Sequence, residues 1–409
     1  MTAPAFVSFR PITFALLLAA FTVVSAMETR AQTAAPSIED RLSRLETELS
    51  NLREENQQLR QKLGVPNQQS PSAIKPLGHE QQFVIGGFLH AQAEFGDQGD
   101  TRFGSGNDRF YLRRARLSTS GRYAEFFDFK FDLEMSGNLG ETTGNRGQML
   151  DGFINWTRYP MANVKVGQFK APFGYELLSP DVTLYTIERA LVSDRLPINR
   201  QIGAQLSGVF LSGRLNYATG FFNGTGANTS LNDNDAFAWA GRFAGIPWQG
   251  KLASYDCRWA LGMEVFSTRD DGRSSQPTEF GFSGNTFTGR RRAIGVNTQF
   301  RVGRLDLWCE YLRSQFKPVN AVPYSTFDAD GWYAQSEYTV LPDKLQAVVR
   351  FDSFDPNRRI EGNSTDSWTL GTNYLFSQDV KLMVDYLLFN TPGQPDRGQK
   401  LLMRLQTIF

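Results

Sequence analysis

From about residue 82 to the end of the chain, apolar and polar side chains alternate with a period of two. The cleanest run is 127–135, where Phe127, Phe129, Phe131, Leu133 and Met135 share one face and Asp128, Lys130, Asp132 and Glu134 the other. The pattern returns at 202–210, 257–265, 294–302, 345–351 and 380–388, with Arg258, Glu264, Arg301, Arg350, Lys381 and Asp385 among the polar positions. Alternation at this spacing predicts β-strands. A soluble sandwich buries its apolar face against a second sheet. Here the opposite face is charged strand after strand, which predicts a transmembrane β-barrel around a water-filled lumen.

The links between these runs alternate long and short. Long ones fall near 96–108, 137–147, 171–199, 223–235, 269–289, 316–330, 353–366 and 390–398, and short ones near 123–125, 159–161, 211–212, 302–303, 341–343 and 377–378. The link near 246–254 reads as longer than the other short ones. Outer-membrane barrels have short periplasmic turns and longer outer loops. The count is 16 strands, starting from the periplasmic side, and a barrel of that size leaves an aqueous channel. Trp156, Tyr159, Trp239, Trp248, Trp332 and Trp368 lie near run ends, where aromatic girdles belong. The chain closes on Phe409, in phase with Leu401, Met403, Leu405 and Thr407.

Upstream the period changes. Ile38, Leu42, Leu45, Leu49, Leu52, Asn56, Leu59 and Leu63 are spaced 4-3-4-3-4-3-4, a heptad seam with one polar a position at Asn56. The g–e pairs Arg41–Glu46, Glu48–Arg53 and Glu55–Arg60 are opposite in sign, which favours parallel self-association. Before the seam, Arg10 and the apolar run Ile12 to Ala26, ending Val24-Ser25-Ala26, read as an export signal cleaved after Ala26, or after Ala31. The expected organisation is therefore a signal over 1–26, a linker over 27–37, a periplasmic coiled coil over 38–64, a Pro- and Gln-rich linker over 65–81, and a barrel over 82–409.

Composition narrows the function. Lys plus Arg is 43 against 42 Asp plus Glu, so there is no basic excess of the kind nucleic-acid binders show. Two Cys and two His leave no disulfide framework and no Cys- or His-rich metal site, and no cofactor is expected. Cys257 and Cys309 fall on strands 9 and 11, too far apart to pair. The barrel's one histidine, His90, shares a face with Gln92 and Glu94, which is no constellation for hydrolysis, so no enzyme is expected.

Alternation places the cations Arg114, Arg116, Lys130, Lys165, Arg214, Arg242, Arg258, Arg291, Arg301, Arg350, Lys381 and Arg404 in the lumen. Opposite in sign are Asp128, Asp132, Glu134, Asp151, Glu264, Asp306, Glu310, Glu337, Asp352 and Asp385. This near-balance forces no selectivity by itself, since rings of one sign select ions. Arg114 and Arg116, two residues apart on one strand, point the same way.

At Arg113-Arg114-Ala115-Arg116-Leu117 and Val166-Gly167-Gln168-Phe169-Lys170-Ala171-Pro172-Phe173-Gly174 the chain resembles the phosphate-selective porin O and P family. Glu188-Arg189-Ala190, Arg200-Gln201-Ile202-Gly203 and the terminal aromatic fit as well, over roughly 80–409. The resemblance implies a trimeric 16-stranded outer-membrane porin whose long third loop, after Lys170, folds into the lumen as a constriction. It also implies wall arginines and constriction lysines for phosphate. Yet no Lys or Arg lies between Ala171 and Ile187, where the nearest cations are Lys170, Arg189, Arg195 and Arg200. The expected function is passive diffusion of small hydrophilic solutes with anions favoured, phosphate or other oxyanions among them. The anion-binding wall is expected at Arg114, Arg116, Lys170, Arg189, Arg195, Arg200, Arg214, Arg258, Arg301, Arg350 and Arg404. Expected partners are outer-membrane lipid, two further copies of the chain and the solutes themselves. The alternative is a tether that reaches cell-wall polymer through the coiled coil, with conduction secondary.

Overall fold

The computed structural model describes residues 82–99, 102–103, 108–136, 147–275, 278–282, 286–319, 325–393 and 396–409. The expected signal, both linkers and the coiled coil lie outside the described residues. Sixteen strands form one closed antiparallel barrel in which each pairs with its sequence neighbours. The first eight are β1 (Gln82–Gly96), β2 (Arg109–Tyr123), β3 (Phe127–Glu134), β4 (Gln148–Tyr159), β5 (Ala162–Lys170), β6 (Arg200–Phe210), β7 (Leu215–Phe222) and β8 (Ala238–Leu252). The rest are β9 (Tyr255–Ser275), β10 (Thr286–Val302), β11 (Leu305–Pro318), β12 (Phe327–Leu341), β13 (Leu345–Asp355), β14 (Thr365–Leu375), β15 (Val380–Asn390) and β16 (Gly398–Ile408).

The barrel closes where β1 meets β16, from Phe88 opposite Ile408 to Gly96 opposite Lys400. Phe409 completes the seam by exchanging backbone hydrogen bonds with Gly87 at 2.8 and 3.0 Å. Closure removes every sheet edge, which a bilayer requires because it supplies no partners for backbone groups. The lipid-facing positions are large apolar residues that remain exposed in the monomer, such as Ile154, Met263, Ile294, Val296 and Leu370. Their neighbours, Glu264, Asn297 and Thr369 among them, point inward and are buried. Cys257 on β9 and Cys309 on β11 are free thiols separated by β10.

Among the departures from the expected pattern, three change the reading of the chain. On β2, His90 stands opposite Arg114 but Ala91 stands opposite Leu112, so Arg113 is the extra residue of a β-bulge. The bulge shifts the phase, and Arg109, Tyr111 and Arg113 join Arg114 and Arg116 on the inside. On β8, Gly245 pairs with Leu261 and Trp248 with Trp259, leaving Ile246 and Pro247 opposite one residue. A proline cannot donate to the ladder, and a bulge accommodates it. The strand therefore continues to Leu252, and the longer link expected at 246–254 is a tight turn at Ala253 and Ser254. Likewise β9 and β10 extend to Ser275 and from Thr286, beyond what spanning needs. The loop expected at 269–289 is correspondingly shorter.

The segment between β5 and β6, residues 171–199, is the third outer loop, called L3 here. It carries two short helices, α1 (Tyr175–Leu178) and α2 (Leu191–Arg195), with a 3-10 turn at Asp181–Thr183 between them. Gly174, just ahead of α1, has φ +87°, and a Cβ there would lie 2.9 Å from the Pro197 ring. Its place at the end of the Phe173-Gly174 motif is thus a backbone requirement. L3 lies inside the barrel. Phe173, Ile187, Leu191, Val192 and Leu196 are no more than 1% exposed. They pack with inward-facing Phe222, Phe266, Trp308, Leu312, Phe316 and Phe354 of the wall in one continuous core, Ile187 excepted. Ile187 joins Met383, Leu387 and Leu402 instead. Part of the lumen is therefore packed protein rather than water. Burying each such side chain contributes about 1.5–3 kcal/mol, which holds a long loop in one place.

Candidate conduction site inside the barrel

L3 is held between two walls of opposite chemistry. On the side of β11 to β15, wall carboxylates accept hydrogen bonds from the loop's backbone. Glu310 accepts from Tyr175 N, from Glu176 N at 3.2 Å and from the Ser193 hydroxyl at 3.3 Å. Asp385 accepts from Ile187 N at 2.7 Å and Asp352 from Leu191 N at 3.3 Å. Buried backbone donors need such partners. Arg350, 1% exposed, reaches across to the Thr186 hydroxyl at 2.7 Å and the Glu188 carbonyl at 2.9 Å, with Glu176 and Asp352 beside it.

On the side of β16, β1 and β2 the polarity reverses, and wall arginines meet loop carboxylates. Arg113 grips Glu188 with two parallel hydrogen bonds of 2.9 and 3.1 Å. Arg404 reaches the same Glu188 at 2.8 Å. Asp181, in the 3-10 turn, is surrounded by three arginines. Arg189 and Arg114 approach its Oδ1 at 2.7 and 3.4 Å, and Arg116 approaches Oδ2 at 2.8 Å. Arg116 also pairs with Glu134 at 3.3 Å. Burial alone would raise the Asp181 carboxyl, but Arg114, Arg189 and Arg116 hold it well below the usual carboxylate range. Burial likewise opposes ionisation of Glu188, and Arg113, Arg404 and Arg114 hold it well below that range. Even so, Nη1 of Arg114 and Nε of Arg116 are buried without a hydrogen-bond partner.

Several inward charges that keep partial exposure lie on β3 to β6. Lys130 pairs with Asp132 at 2.7 Å and lies 3.6 Å from Asp151, while Arg200 donates to Asp151 at 2.7 Å. Lys170 donates to the Leu177 carbonyl at the start of L3. The Lys165 ammonium sits over the rings of Phe153 and Phe169, at 4.6 and 5.1 Å from their centroids. Pro180 and Thr183 at the loop tip are exposed.

The remaining expected site residues are dispersed. Arg258 donates to Gln299 at 3.3 Å, and Arg301 pairs with Asp306 at 2.6 Å, both on the wall away from Asp181. Arg195 lies on α2 against Glu279 and Asp194. Arg214 is misplaced by alternation. It sits exposed in the turn after Leu211, between β6 and β7, because β6 stops at Phe210 and the turn takes up the intervening residues. Arg113, absent from the expected set, is brought in by the bulge. The motif Arg113-Arg114-Ala115-Arg116 was its one visible signal.

Comparison with known proteins agrees with this architecture. The family model for phosphate-selective porin O and P matches residues 84–409. Porin O of Pseudomonas aeruginosa is 22% identical over 395 residues, covering 81% of this chain and 89% of that protein. Among solved structures, the anion-selective porin from Comamonas acidovorans superposes with a TM-score of 0.56 at 12% identity, covering 81% of this chain and all of the other. OmpT of Vibrio cholerae, in its trimer form, gives 0.56 at 11% identity over 81% of this chain and 100% of its own. Salmonella typhi OmpF gives 0.55 at 12% identity over 80% and 97%. The closed 16-stranded barrel, the loop folded into it and a family match over nearly the whole described region place this chain in the phosphate-selective porin O and P family.

Proposed function

We propose that this outer-membrane porin, a channel for passive diffusion of small hydrophilic solutes, prefers anions modestly and binds phosphate weakly. One observation carries the sign of the preference. Around the tip of L3, Arg113, Arg114, Arg116, Arg189 and Arg404 face the carboxylates Asp181, Glu188 and Glu134, and guanidinium donors remain unfilled. Arginine keeps its charge at every pH the cell meets, and its fork suits oxyanions. Lys130, Lys165, Lys170 and Arg200 extend the positive lining along the inner wall of β3, β5 and β6. The preference stays modest because these cations are largely matched by acids. It is also strongly salt-dependent, since screening over about 10 Å at 0.1 M removes long-range steering. The working assembly is a homotrimer of such barrels in outer-membrane lipid, as the trimer form of OmpT is for that protein.

The test is the reversal potential of the purified channel in a planar bilayer under a potassium chloride gradient. Native protein is expected to favour chloride, and Arg114→Ala with Arg116→Ala to reduce that preference. A native channel selective for cations would refute the sign. Block by micromolar phosphate would refute the weak-site reading.

A further inference from the structure

On its outward face, away from the lumen, the sheet of β9 to β11 ends in a row of cations. Arg290 on β10 stands directly opposite Arg269 on β9 and Lys317 on β11, and all three are exposed. Arg292, the next outward position down β10, lies between Ser267 and Gln315 and is exposed as well. Like charges directly opposite one another destabilise a sheet, and an anion lying across the row removes that cost. Among the described residues none of the four side chains has an ion-pair partner. Asp271, the nearest outward acid on β9, stands opposite Thr288 and pairs with none of them. The outward acids of β12 are already engaged, Asp328 by Arg313 at 2.8 Å, and Asp330 by the Tyr311 hydroxyl at 2.7 Å and Arg358 at 3.1 Å. Below the row the same face is apolar, through Ile294 and Val296 on β10 and Met263 and Val265 on β9, down to the Trp259–Phe300 pair. From Phe300 up to Arg290 is about ten residues, roughly 34 Å of strand, or about 25 Å along the barrel axis at a tilt of about 40°. The apolar band of an outer-membrane barrel is about 25 Å tall, so the four cations stand level with the headgroups of the outer leaflet. Beside this face an outward groove of about 710 Å³ opens in the band, where the small Cys309 and Ala334 lie among Phe300, Trp332, Phe351 and Trp368.

We propose that Arg269, Arg290, Arg292 and Lys317 form a headgroup site on the outside of the barrel for a phosphorylated lipid of the outer leaflet, whose acyl chains lie on the apolar face below and reach the aromatic groove. Arginine matches a phosphate with two parallel charge-assisted bonds, and basic clusters at headgroup level hold anionic lipid headgroups. The occupant is a lipid rather than a dissolved ion because the cations and the apolar band are continuous on one face. A phosphate that meets the row from within the membrane brings the chains that cover the band. Two copies of the barrel meeting face to face here would set cation against cation. The site is independent of the ion preference of the lumen, since none of the four side chains faces it.

The experiment mixes the detergent-purified porin with lipid A, a bisphosphorylated multi-acyl glycolipid, or with its dephosphorylated form, and measures bound lipid by native mass spectrometry. The native protein is expected to hold the phosphorylated lipid about tenfold or more tighter than the dephosphorylated one. Arg290→Gln combined with Arg292→Gln and Lys317→Gln is expected to remove that difference, whereas Arg290→Lys with Arg292→Lys keeps most of it. Equal binding of the two lipids by the native protein would overturn the proposal, as would undiminished preference in the glutamine variant. Displacement of the lipid by an equal concentration of inorganic phosphate would also overturn it, by making the row a site for the dissolved ion. Loss of the native oligomer in the glutamine variant would overturn it by making the row an interface between copies. If that variant does not fold, the native protein decides at low salt and in about 0.5 M sodium chloride, where screening is expected to abolish the preference. A preference that salt leaves untouched would then count against the four cations.

Discussion

Arg113 and Asp181 show how single residues acquire meaning inside this barrel. Arg113 reaches Glu188 with a bidentate pair because a bulge turns it inward, and an arginine at that point in an unbulged strand would face lipid. Lipid exposure of a charge near the bilayer midplane costs about 2–4 kcal/mol, so the phase shift is itself stabilising. Asp181 illustrates the reverse case, a loop acid whose ionised form is set by arginines. Its folded value lies below the ordinary value of about 3.9, so its contribution is full above the carboxylate range. That contribution is lost only as pH falls through the depressed folded value. The difference in reversal potential between the native channel and Asp181→Asn is therefore expected to stay constant from pH 7 to about 4.5, because Asp181 stays ionised across that range. Convergence of the two within that range would show that Asp181 protonates there and is not held by Arg114, Arg116 and Arg189.

At the scale of elements, L3 is the part that fills the pipe. Loops of 29 residues with little regular structure are uncommon in compact folds and tend to be functional. This one is ordered by its apolar core and by wall carboxylates that accept from its helix starts. Glu310 is the central latch, with bonds to the first turn of α1 and to Ser193 of α2. Glu310→Ala strands two backbone donors in a buried site, at a cost of about 1–3 kcal/mol each. Its expected effect is a larger single-channel conductance and a weaker ion preference, as α1 comes away from β11. Conductance identical to native would mean that the apolar core alone fixes the loop. The motif residues divide along the same line: Lys170 and Gly174 set where L3 leaves the wall, while Glu188 and Arg189 set where it docks.

For the whole molecule, strand order is the quantity that everything else depends on. With β10 between them, Cys257 and Cys309 lie about 9–10 Å apart at best, beyond the reach of a disulfide. Non-reducing mass mapping of the native protein is expected to find both as free thiols, and a bridge would mean that the strand count fails in that region. That count was legible in the chain itself. Period-two alternation and the rhythm of short and long links are local properties, written in side chains a few residues apart, and they determined sixteen strands, their inward faces and the third loop as the longest. They also placed Arg114, Arg116, Arg350 and Arg404 in the lumen. What the tertiary structure alone decided depends on partners far apart in sequence or on breaks in the period. The bulges at Arg113 and at Ile246-Pro247 change phase without changing local composition. The turn that removes Arg214 from the wall depends on where pairing with β7 begins. The pairing of Arg404 with Glu188, of Asp385 with Ile187 and of Arg350 with Thr186 joins residues more than 160 positions apart, through a loop whose own sequence carries no periodic signal of where it will dock.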